Sequence, residues 1–265
     1  VGVTVAVLNK PVGAEALNWP WFRQRPGDAH YLQLTSPTLL TNHITGVSPN
    51  NYTDITPIGI LANRSVSLAV RADSSIKSGR DLAERLKRDA TSVTFGINGI
   101  GNNLHILIAA VGKGAGADVL KLKTVVFKGG ELMTAALGGH VDVISTVTSN
   151  ILPHVQNGSL RIIGVATPQR LTGALATVPT WREQGVDVVL SNWVAAVADK
   201  GLNTAQIAYW DRVFAATTAT DEWKAGLEKN LWEAQFLNSA DMMTSMKEDY
   251  PKLRASLQDL GLAKR

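Results

Sequence analysis

The chain has 265 residues, 45% hydrophobic and 18% charged, enough for one large or two ordinary globular domains with a buried core. Its net charge of +4 is spread along the sequence, which argues against a nucleic-acid groove and mildly favours anions. The absence of cysteine excludes disulfides, thiolate catalysis and cysteine-ligated zinc, and no apolar run is long enough to cross a membrane as a helix.

The first quarter of the chain predicts short strands and a short helix. Residues 3–9 are rich in valine and end at a Pro/Gly segment, so they predict a strand, and residues 31–37 predict a second. Ser36 or Thr38 then offers a cap before a short apolar helix. Residues 55–73 predict two buried strands with a polar joint.

Strands and helices alternate as far as about residue 198, an order that predicts parallel sheets with right-handed crossovers. The extended runs at 67–72 and 192–198 are candidate crossings between two lobes, because an α/β unit of ordinary domain size lies between them. From Asn203 onward the pattern is helical almost throughout. We therefore predict two lobes, the first formed by residues 1–70 and 194–265 and the second by residues 71–193.

The stretch TFGINGIGNNLHILIAA passes from an apolar strand through glycines and polar residues into an apolar helix. Ligands gather at the carboxyl ends of strands in open parallel sheets, and the first N–H groups of a helix are unpaired donors. Gly99 and Gly101 permit close approach of a ligand to the backbone, and Asn98, Asn102 and Asn103 add side-chain amides. Two interpretations stay open: an anion-binding turn, or a turn that merely needs glycine.

Two further strand–helix junctions are rich in hydroxyl groups. The stretch STVTSNILPHV offers hydroxyl donors at Ser145, Thr146, Thr148 and Ser149. Ser149 is also expected to cap the following helix. The stretch TSPTLLTN in the first lobe offers polar groups at Ser36, Thr38 and Asn42. Three such strand ends indicate anion binding without catalysis.

No catalytic or metal-binding constellation accompanies these junctions. The five histidines do not follow the H-x-x-x-H or H-E-x-x-H spacing of metal sites, and no serine lies in a G-x-S-x-G elbow. We therefore predict no catalytic residue, no metal and no cofactor. His105, one turn into the glycine-opened helix, is either a hydrogen-bonded structural residue or a group that faces a ligand.

Seven segments in this order resemble the substrate-binding receptors of tripartite tricarboxylate transporters, also called the Bordetella uptake gene (Bug) family. The resemblance covers nearly the whole chain, and it rests on the segments NKPVG, YTDITPIGILA, FGINGIGNNLH, FKGGELMTAALGGHVDV, LPHVQNGSLRIIGVATPQRL, VPTWREQG and NWVAAVADKGL.

The resemblance implies a two-lobed periplasmic binding fold of the type II-like α/β class, each lobe a mainly parallel sheet flanked by helices. It implies a periplasmic receptor, monomeric and without nucleic-acid partners, that captures a small carboxylate for the membrane subunits of a tripartite transporter. Carried over by position, the loops that hold the carboxylate contain Gly13, Ala14, Ser36, Thr38 and Asn42 in the first lobe. In the second lobe they contain Asn98, Gly99, Gly101, Asn102, Asn103, Ser145, Thr146, Thr148 and Ser149.

The sequence also departs from the family pattern. A strand, a helix and a Pro/Gly-rich loop that usually precede the position of Val1 are expected to be missing. Glu15 stands where the family has a small residue, and asparagines replace serines in the second-lobe loop. These neutral amides suit a ligand of a different shape from citrate; with Trp19 and Trp21 nearby in the sequence, an aromatic and an aliphatic acid both stay open. Two other functions stay open, an enzyme that uses His105 as a base and a sensor that docks on a membrane kinase.

Overall fold

The computed structural model describes residues 4–9 and 18–264, and the chain divides into two compact units. Unit 1 comprises Val1–Asn63, Trp193–Arg254 and Lys264–Arg265, and unit 2 comprises Arg64–Asn192 and Ala255–Ala263. Residues 64–70 and 255–263, which the sequence analysis assigns to the first lobe, lie in unit 2.

Unit 1 contains a four-stranded sheet in the order β1-β8-β2-β9. Its strands are β1 (Gln33–Thr35), β2 (Ile55–Arg64), β8 (Trp193–Asp199) and β9 (Trp232–Leu237). The accompanying helices are α1 (Trp19–Phe22), α2 (Thr38–Thr45), α7 (Thr204–Ala219), α8 (Asp221–Lys229) and α9 (Ser239–Asp259), the last of which ends in unit 2. Ile58 and Leu61 from β2 pack with Ala196 and Ala198 from β8, covered by Trp210 and Phe214 of α7.

Two predictions for the unit 1 portion are wrong. Residues 4–9 form no regular strand, and the side chains of Val5 and Val7 are 70% and 80% exposed. A strand is stabilised by a neighbour that accepts its hydrogen bonds, which β-rich composition cannot supply. The stretch after Asn203, predicted to be helical almost throughout, also contains strand β9 between α8 and α9.

Unit 2 contains a five-stranded sheet in the order β5-β4-β6-β3-β7. Its strands are β3 (Val66–Arg71), β4 (Thr94–Ile97), β5 (Lys123–Val126), β6 (Val143–Val147) and β7 (Leu160–Val165). The connecting helices are α3 (Gly79–Arg88), α4 (Asn103–Gly114), α5 (Glu131–Gly138) and α6 (Thr148–Gln156). Buried side chains of β3, β4 and α4 such as Leu68, Phe95 and Leu107 form its core.

The two-lobed α/β class is confirmed, but the sheets are mixed rather than uniformly parallel. Strand β4 pairs in parallel with β5 and β6, whereas β3 runs antiparallel to both β6 and β7. In unit 1, β8 runs antiparallel to β1 and β2. The reversed strands β3 and β8 are those with which the chain enters a unit after leaving the other. Alternation of strands and helices cannot reveal such a reversal.

A buried amide connects three parts of unit 2. The side-chain carbonyl of Gln184 accepts a hydrogen bond from Gly79 N–H at 2.7 Å, and its Nε2 donates to the carbonyls of Ile163 at 2.9 Å and Thr180 at 3.3 Å. The ring of Trp181 is fully buried beside it. Because each partner is satisfied, the polar group costs little in the core.

No helix in the described parts of the chain combines the length and the apolar character needed to cross a bilayer.

Gly164 in β7 gives a test of this packing. A Cβ at Gly164 would lie 2.8 Å from Cε2 of the buried Trp181 ring, so Gly164→Ala overpacks the core. We expect the free energy of unfolding from urea titration to fall by about 1–3 kcal/mol. The matched control is Gly226→Ala in α8, where no atom lies within 4 Å of the new Cβ and the free energy should rise by about 0.5–1 kcal/mol. Equal stability of Gly164→Ala and wild type would contradict the packing.

Candidate ligand-binding site

The sheet of unit 2 brings two of the predicted junctions to one edge. Strands β4 and β6 are parallel neighbours, with Gly96 opposite Ile144, so their carboxyl ends leave the sheet side by side. Strand β3 begins at the same edge, because Val66 pairs with Val147. The turn between β4 and α4, the turn between β6 and α6, and the start of β3 therefore form one surface, which we call the sheet edge.

The start of α4 is occupied by its own side chains. Asn102 is the N-cap, and its Oδ1 accepts hydrogen bonds from the N–H groups of Leu104 and His105, both at 3.1 Å. Its Nδ2 donates to Oδ1 of Asn98 at 2.9 Å, which closes the turn. Three of the four first N–H groups of α4, those of Leu104, His105 and Ile106, are thus already paired within the chain.

His105 completes this arrangement from the first turn of α4. The N–H of Gly101 donates to Nδ1 of His105 at 3.1 Å, so this nitrogen carries no proton and the neutral ring holds its proton on Nε2. The residue is 8% exposed, and burial lowers the pKa of its imidazole. The structural interpretation of His105 accounts for these contacts.

Both glycines of the turn have structural roles. Gly101 has φ of 74°, in the left-handed region that glycine adopts without strain. A Cβ at Gly99 would lie 3.0 Å from Nδ2 of Asn102, so glycine leaves room for the capping amide. The turn nevertheless retains donors, because the N–H groups of Gly99 and Ile100 have no acceptor among the described residues.

Asn103 points away from this cap and towards the segment before β8. Its Nδ2 donates to the carbonyl of Ser191 at 2.7 Å and lies 3.5 Å from Oδ1 of Asn192. Its Oδ1 is buried and has no partner in the part of the chain that the structure describes. Asn103 therefore holds the 191–192 segment and keeps one unsatisfied acceptor.

The start of α6 differs from that of α4. The sequence predicts Ser149 as its cap, but the helix begins at Thr148, its N-cap is Val147 and no side chain caps it. The side chain of valine has no oxygen atom. The N–H groups of Ser149 and Asn150 therefore have no side-chain acceptor among the described residues. These N–H groups are available to an anion.

Buried hydroxyl groups surround the same helix start. Thr148 donates from its main-chain N–H to the carbonyl of Ser65 at 2.9 Å and from its Oγ1 to Oγ of Ser67 at 3.2 Å. The hydroxyls of Ser65 and Ser145 are buried without a partner within the described ranges, and Thr146 is 4% exposed. Ser65 and Ser67 cannot be predicted as neighbours of this helix start, because only the antiparallel pairing of β3 with β6 brings them to Thr148.

The predicted residues of the first lobe form a separate group in unit 1. Oγ of Ser36 donates to Oγ1 of Thr38 at 2.9 Å and accepts from the N–H of Thr38 at 3.4 Å. Asn42 lies one turn further along α2 and is 7% exposed. Gly13 and Ala14 lie outside the described residues.

Of the two tryptophans that suggested an aromatic ligand, Trp19 is buried and Trp21 is half-buried. Trp19 is 1% exposed and meets Phe22 edge to face at 5.8 Å between centroids. Trp193 is also 1% exposed, and its Nε1 donates to Asp249 at 3.3 Å. Trp21 stacks near Arg25, whose guanidinium lies 5.2 Å from the indole centroid.

Residues 1–262 match the tripartite tricarboxylate transporter family receptor TctC. The chain belongs to this family. One relative from Cupriavidus necator, called UPF0065 protein in gbd 5'region, is 27% identical over 266 residues that cover 100% of this chain and 80% of the relative. The resemblance drawn from the seven sequence segments is confirmed.

Solved structures share the fold of the receptor. The periplasmic binding protein BugD superposes with a TM-score of 0.83 at 21% identity, covering 99% of this chain and 88% of BugD. A Rhodopseudomonas palustris protein solved with adipate has a TM-score of 0.82 at 19% identity, covering 94% of this chain and 83% of its own. MatC from the same organism, solved with malate, has a TM-score of 0.76 at 17% identity, covering 92% and 84%.

The contact between Gly101 and His105 predicts a pH dependence. Because the pKa of His105 is lowered in the folded receptor, the unfolded chain binds more protons below about pH 6.5, and stability falls as the pH drops from that value. His105→Asn keeps an acceptor near the position of Nδ1 but cannot titrate. We expect urea titrations between pH 7.5 and 5 to show a smaller loss of stability for the variant.

Asp249 has the opposite effect on stability at low pH, because burial raises the pKa of its carboxyl in the folded protein. It is present in both proteins, so the difference between their pH profiles isolates His105. Parallel profiles for the two proteins would contradict the assigned hydrogen bond.

Proposed function

We propose that the receptor captures a small organic carboxylate at the sheet edge of unit 2 and delivers it to the membrane subunits of a tripartite transporter. One observation carries the proposal: the uncapped start of α6 lies beside a turn in which the N–H groups of Gly99 and Ile100 have no acceptor among the described residues. Main-chain N–H groups at a helix start favour a negative charge through both hydrogen bonding and the helix dipole.

The absence of carboxylates at the two turns is compatible with an anion. No residue in the stretches 98–103 and 145–149 carries a carboxylate or a cation, so binding there would depend on neutral donors. Hydroxyls of Ser149 and the buried Ser145 can add to the main-chain donors, directly or through water. Such a set can hold a carboxylate and still release it to a transporter.

Relatives with known ligands support the chemical class. The structures solved with adipate and with malate contain dicarboxylates, and both share the fold of this chain. For this receptor we propose an aliphatic mono- or dicarboxylate, supported by these two ligands and by the burial of Trp19, one of the two tryptophans that suggested an aromatic ligand. The assignment of Gly13, Ala14, Ser36, Thr38 and Asn42 to ligand binding stays a prediction.

We propose that binding occurs without catalysis. His105 is the candidate base for an enzyme, but its Nδ1 is engaged by Gly101 and the residue is 8% exposed. A general base must reach the proton that it removes, and the Nδ1 lone pair of His105 already accepts the hydrogen bond from Gly101. Membership of the receptor family also supports binding without catalysis.

We propose a periplasmic location, which the likeness to the periplasmic binding protein BugD supports, and a monomeric state. A tagged full-length gene product should appear in the osmotic-shock fraction of bacterial cells. It should elute with the mass of a single chain, and crosslinking in envelope membranes should recover polytopic transporter subunits. Retention of the protein with the cytosolic fraction would contradict the location.

Carboxylate binding is expected to stabilise the receptor. A ligand present at a hundredfold excess over its Kd adds about 2.7 kcal/mol to the free energy of unfolding. A panel of malate, succinate, adipate, citrate, acetate and benzoate, with matched sodium chloride as control, should give a saturable rise in Tm for at least one aliphatic acid. A shift for benzoate alone, or no shift in the whole panel, would refute the proposed ligand class.

Ser149→Asp tests the position of the site. A carboxylate in the second position of α6 suits the helix dipole and preserves folding, but it occupies and repels the place of the ligand. We expect carboxylate binding measured by calorimetry to weaken at least about tenfold, with unchanged or higher Tm of the free protein. Ser149→Asn, similar in size and neutral, is the matched control and should retain most of the affinity. Equal binding by all three proteins would exclude the start of α6.

A further inference from the structure

A polar pocket lies in unit 1, whereas the sheet edge described above belongs to unit 2. It has a volume of about 280 Å³ and is bounded by the end of α2, the loop that follows it, α9 and the C-terminal segment. The residues that line it are His43, Ile44, Gly46, Ser48, Pro49, Tyr250, Arg254 and Lys264.

The charge of this pocket is uncompensated. Arg254 and Lys264 contribute two cationic side chains, and none of the lining residues carries a carboxylate. Neither cation forms an ion pair with any described carboxylate, although other arginines and lysines of the chain do so. Two cations held at one concave surface repel each other unless an anion lies between them.

Hydrogen bonds hold the main chain of Lys264 and the guanidinium of Arg254 in this pocket. Main-chain N–H of Lys264 donates to the carbonyl of Ile44 at 2.7 Å, and Nη2 of Arg254 donates to the carbonyl of Lys264 at 3.3 Å. The stem of Lys264 packs on Gly46, where a Cβ would lie 3.1 Å from its Cδ. Arg254 retains its other N–H groups for a ligand.

Neutral donors complete the lining. Ser48 is 3% exposed, and its Oγ accepts from N–H and Nδ2 of Asn50 at 3.2 and 3.1 Å while its own proton has no described acceptor. Nδ1 of His43 lies 2.7 Å from the hydroxyl of Tyr250. Whichever of these two groups donates, the pair has one further proton, on Nε2 or on the phenol oxygen.

The end of α2 does not oppose an anion as an open helix end would. The carbonyls of Asn42, His43 and Ile44 accept hydrogen bonds from main-chain N–H groups of Ser48, Gly46 and Lys264. These bonds satisfy the terminal carbonyls of the helix, so their partial negative charge is largely offset.

We propose that this pocket binds a tetrahedral oxyanion of the phosphate type through Arg254, Lys264, Ser48 and the His43–Tyr250 pair. Four separate donor groups match an anion with three or four oxygens better than the two oxygens of a carboxylate. The phosphate can belong to the free inorganic anion or to the headgroup of an anionic phospholipid at the membrane surface. The site would thus be separate in both position and chemistry from the carboxylate site.

Two binding measurements with the whole chain distinguish the two sources of phosphate. The first titrates inorganic phosphate by calorimetry at constant ionic strength. The second measures cosedimentation with phosphatidylcholine vesicles with and without phosphatidylglycerol. Saturable phosphate binding assigns the pocket to the free anion, and binding only to the anionic vesicles assigns it to a headgroup. Absence of both overturns the proposal.

Lys264→Gln is the variant for both measurements, because it removes one charge and keeps most of the packed stem. Binding should weaken about tenfold, the loss typical of one charge-assisted contact. Lys247→Gln, on an exposed part of α9, is the matched control and should bind like wild type. Equal weakening in both variants would show nonspecific attraction and overturn the pocket. Ser149→Asp should leave phosphate binding in this pocket unchanged. Failure of the carboxylate proposal and failure of the phosphate proposal are therefore observed in separate measurements.

Discussion

The sheet edge of unit 2 depends on the antiparallel pairing of β3 with β6. This pairing places Ser65 where its carbonyl receives the first N–H of α6, and Ser67 where its hydroxyl receives the side chain of Thr148. The direction of α6 as it leaves the sheet is thereby fixed by a strand that precedes it by many residues. Without the reversal, the start of α6 would lose both contacts, and its position beside the β4–α4 turn would be less well determined.

The two helix starts at this edge use their unpaired N–H groups in opposite ways. Helix α4 pairs the N–H groups of Leu104, His105 and Ile106 with Asn102 and receives a second contact through His105 and Gly101, which gives a rigid turn. Helix α6 has valine at the N-cap and leaves its N–H groups for another acceptor. Capping contributes about 1 kcal/mol of stability, so a missing cap is a cost that a bound anion can offset. The rigid turn then fixes the neighbouring donors of Gly99 and Ile100.

Local sequence predicts much of this architecture, because strands such as β2, β3 and β4 have strong apolar patterns with clear polar joints. It also locates the glycine-opened turn, but not the use of that turn. Asn102 caps the helix and His105 accepts from Gly101 through side-chain contacts two to four residues apart, which composition does not reveal. Ser65 could not be found at all, because its role depends on register with a strand far along the chain. The missing cap of α6 likewise depends on where the helix begins, since the predicted cap Ser149 lies two residues beyond the observed N-cap Val147.

The two candidate anion sites differ in a way that suits different lifetimes of binding. At the sheet edge the donors are neutral N–H and hydroxyl groups, and a receptor that must hand over its ligand gains from such moderate contacts. The pocket of unit 1 instead presents two full charges, whose interaction with an anion is stronger but weakens with salt. A dependence of binding on ionic strength is therefore intrinsic to the second site and small at the first. Carboxylate binding at the sheet edge can therefore be independent of the binding of a charged surface or free phosphate in the pocket of unit 1.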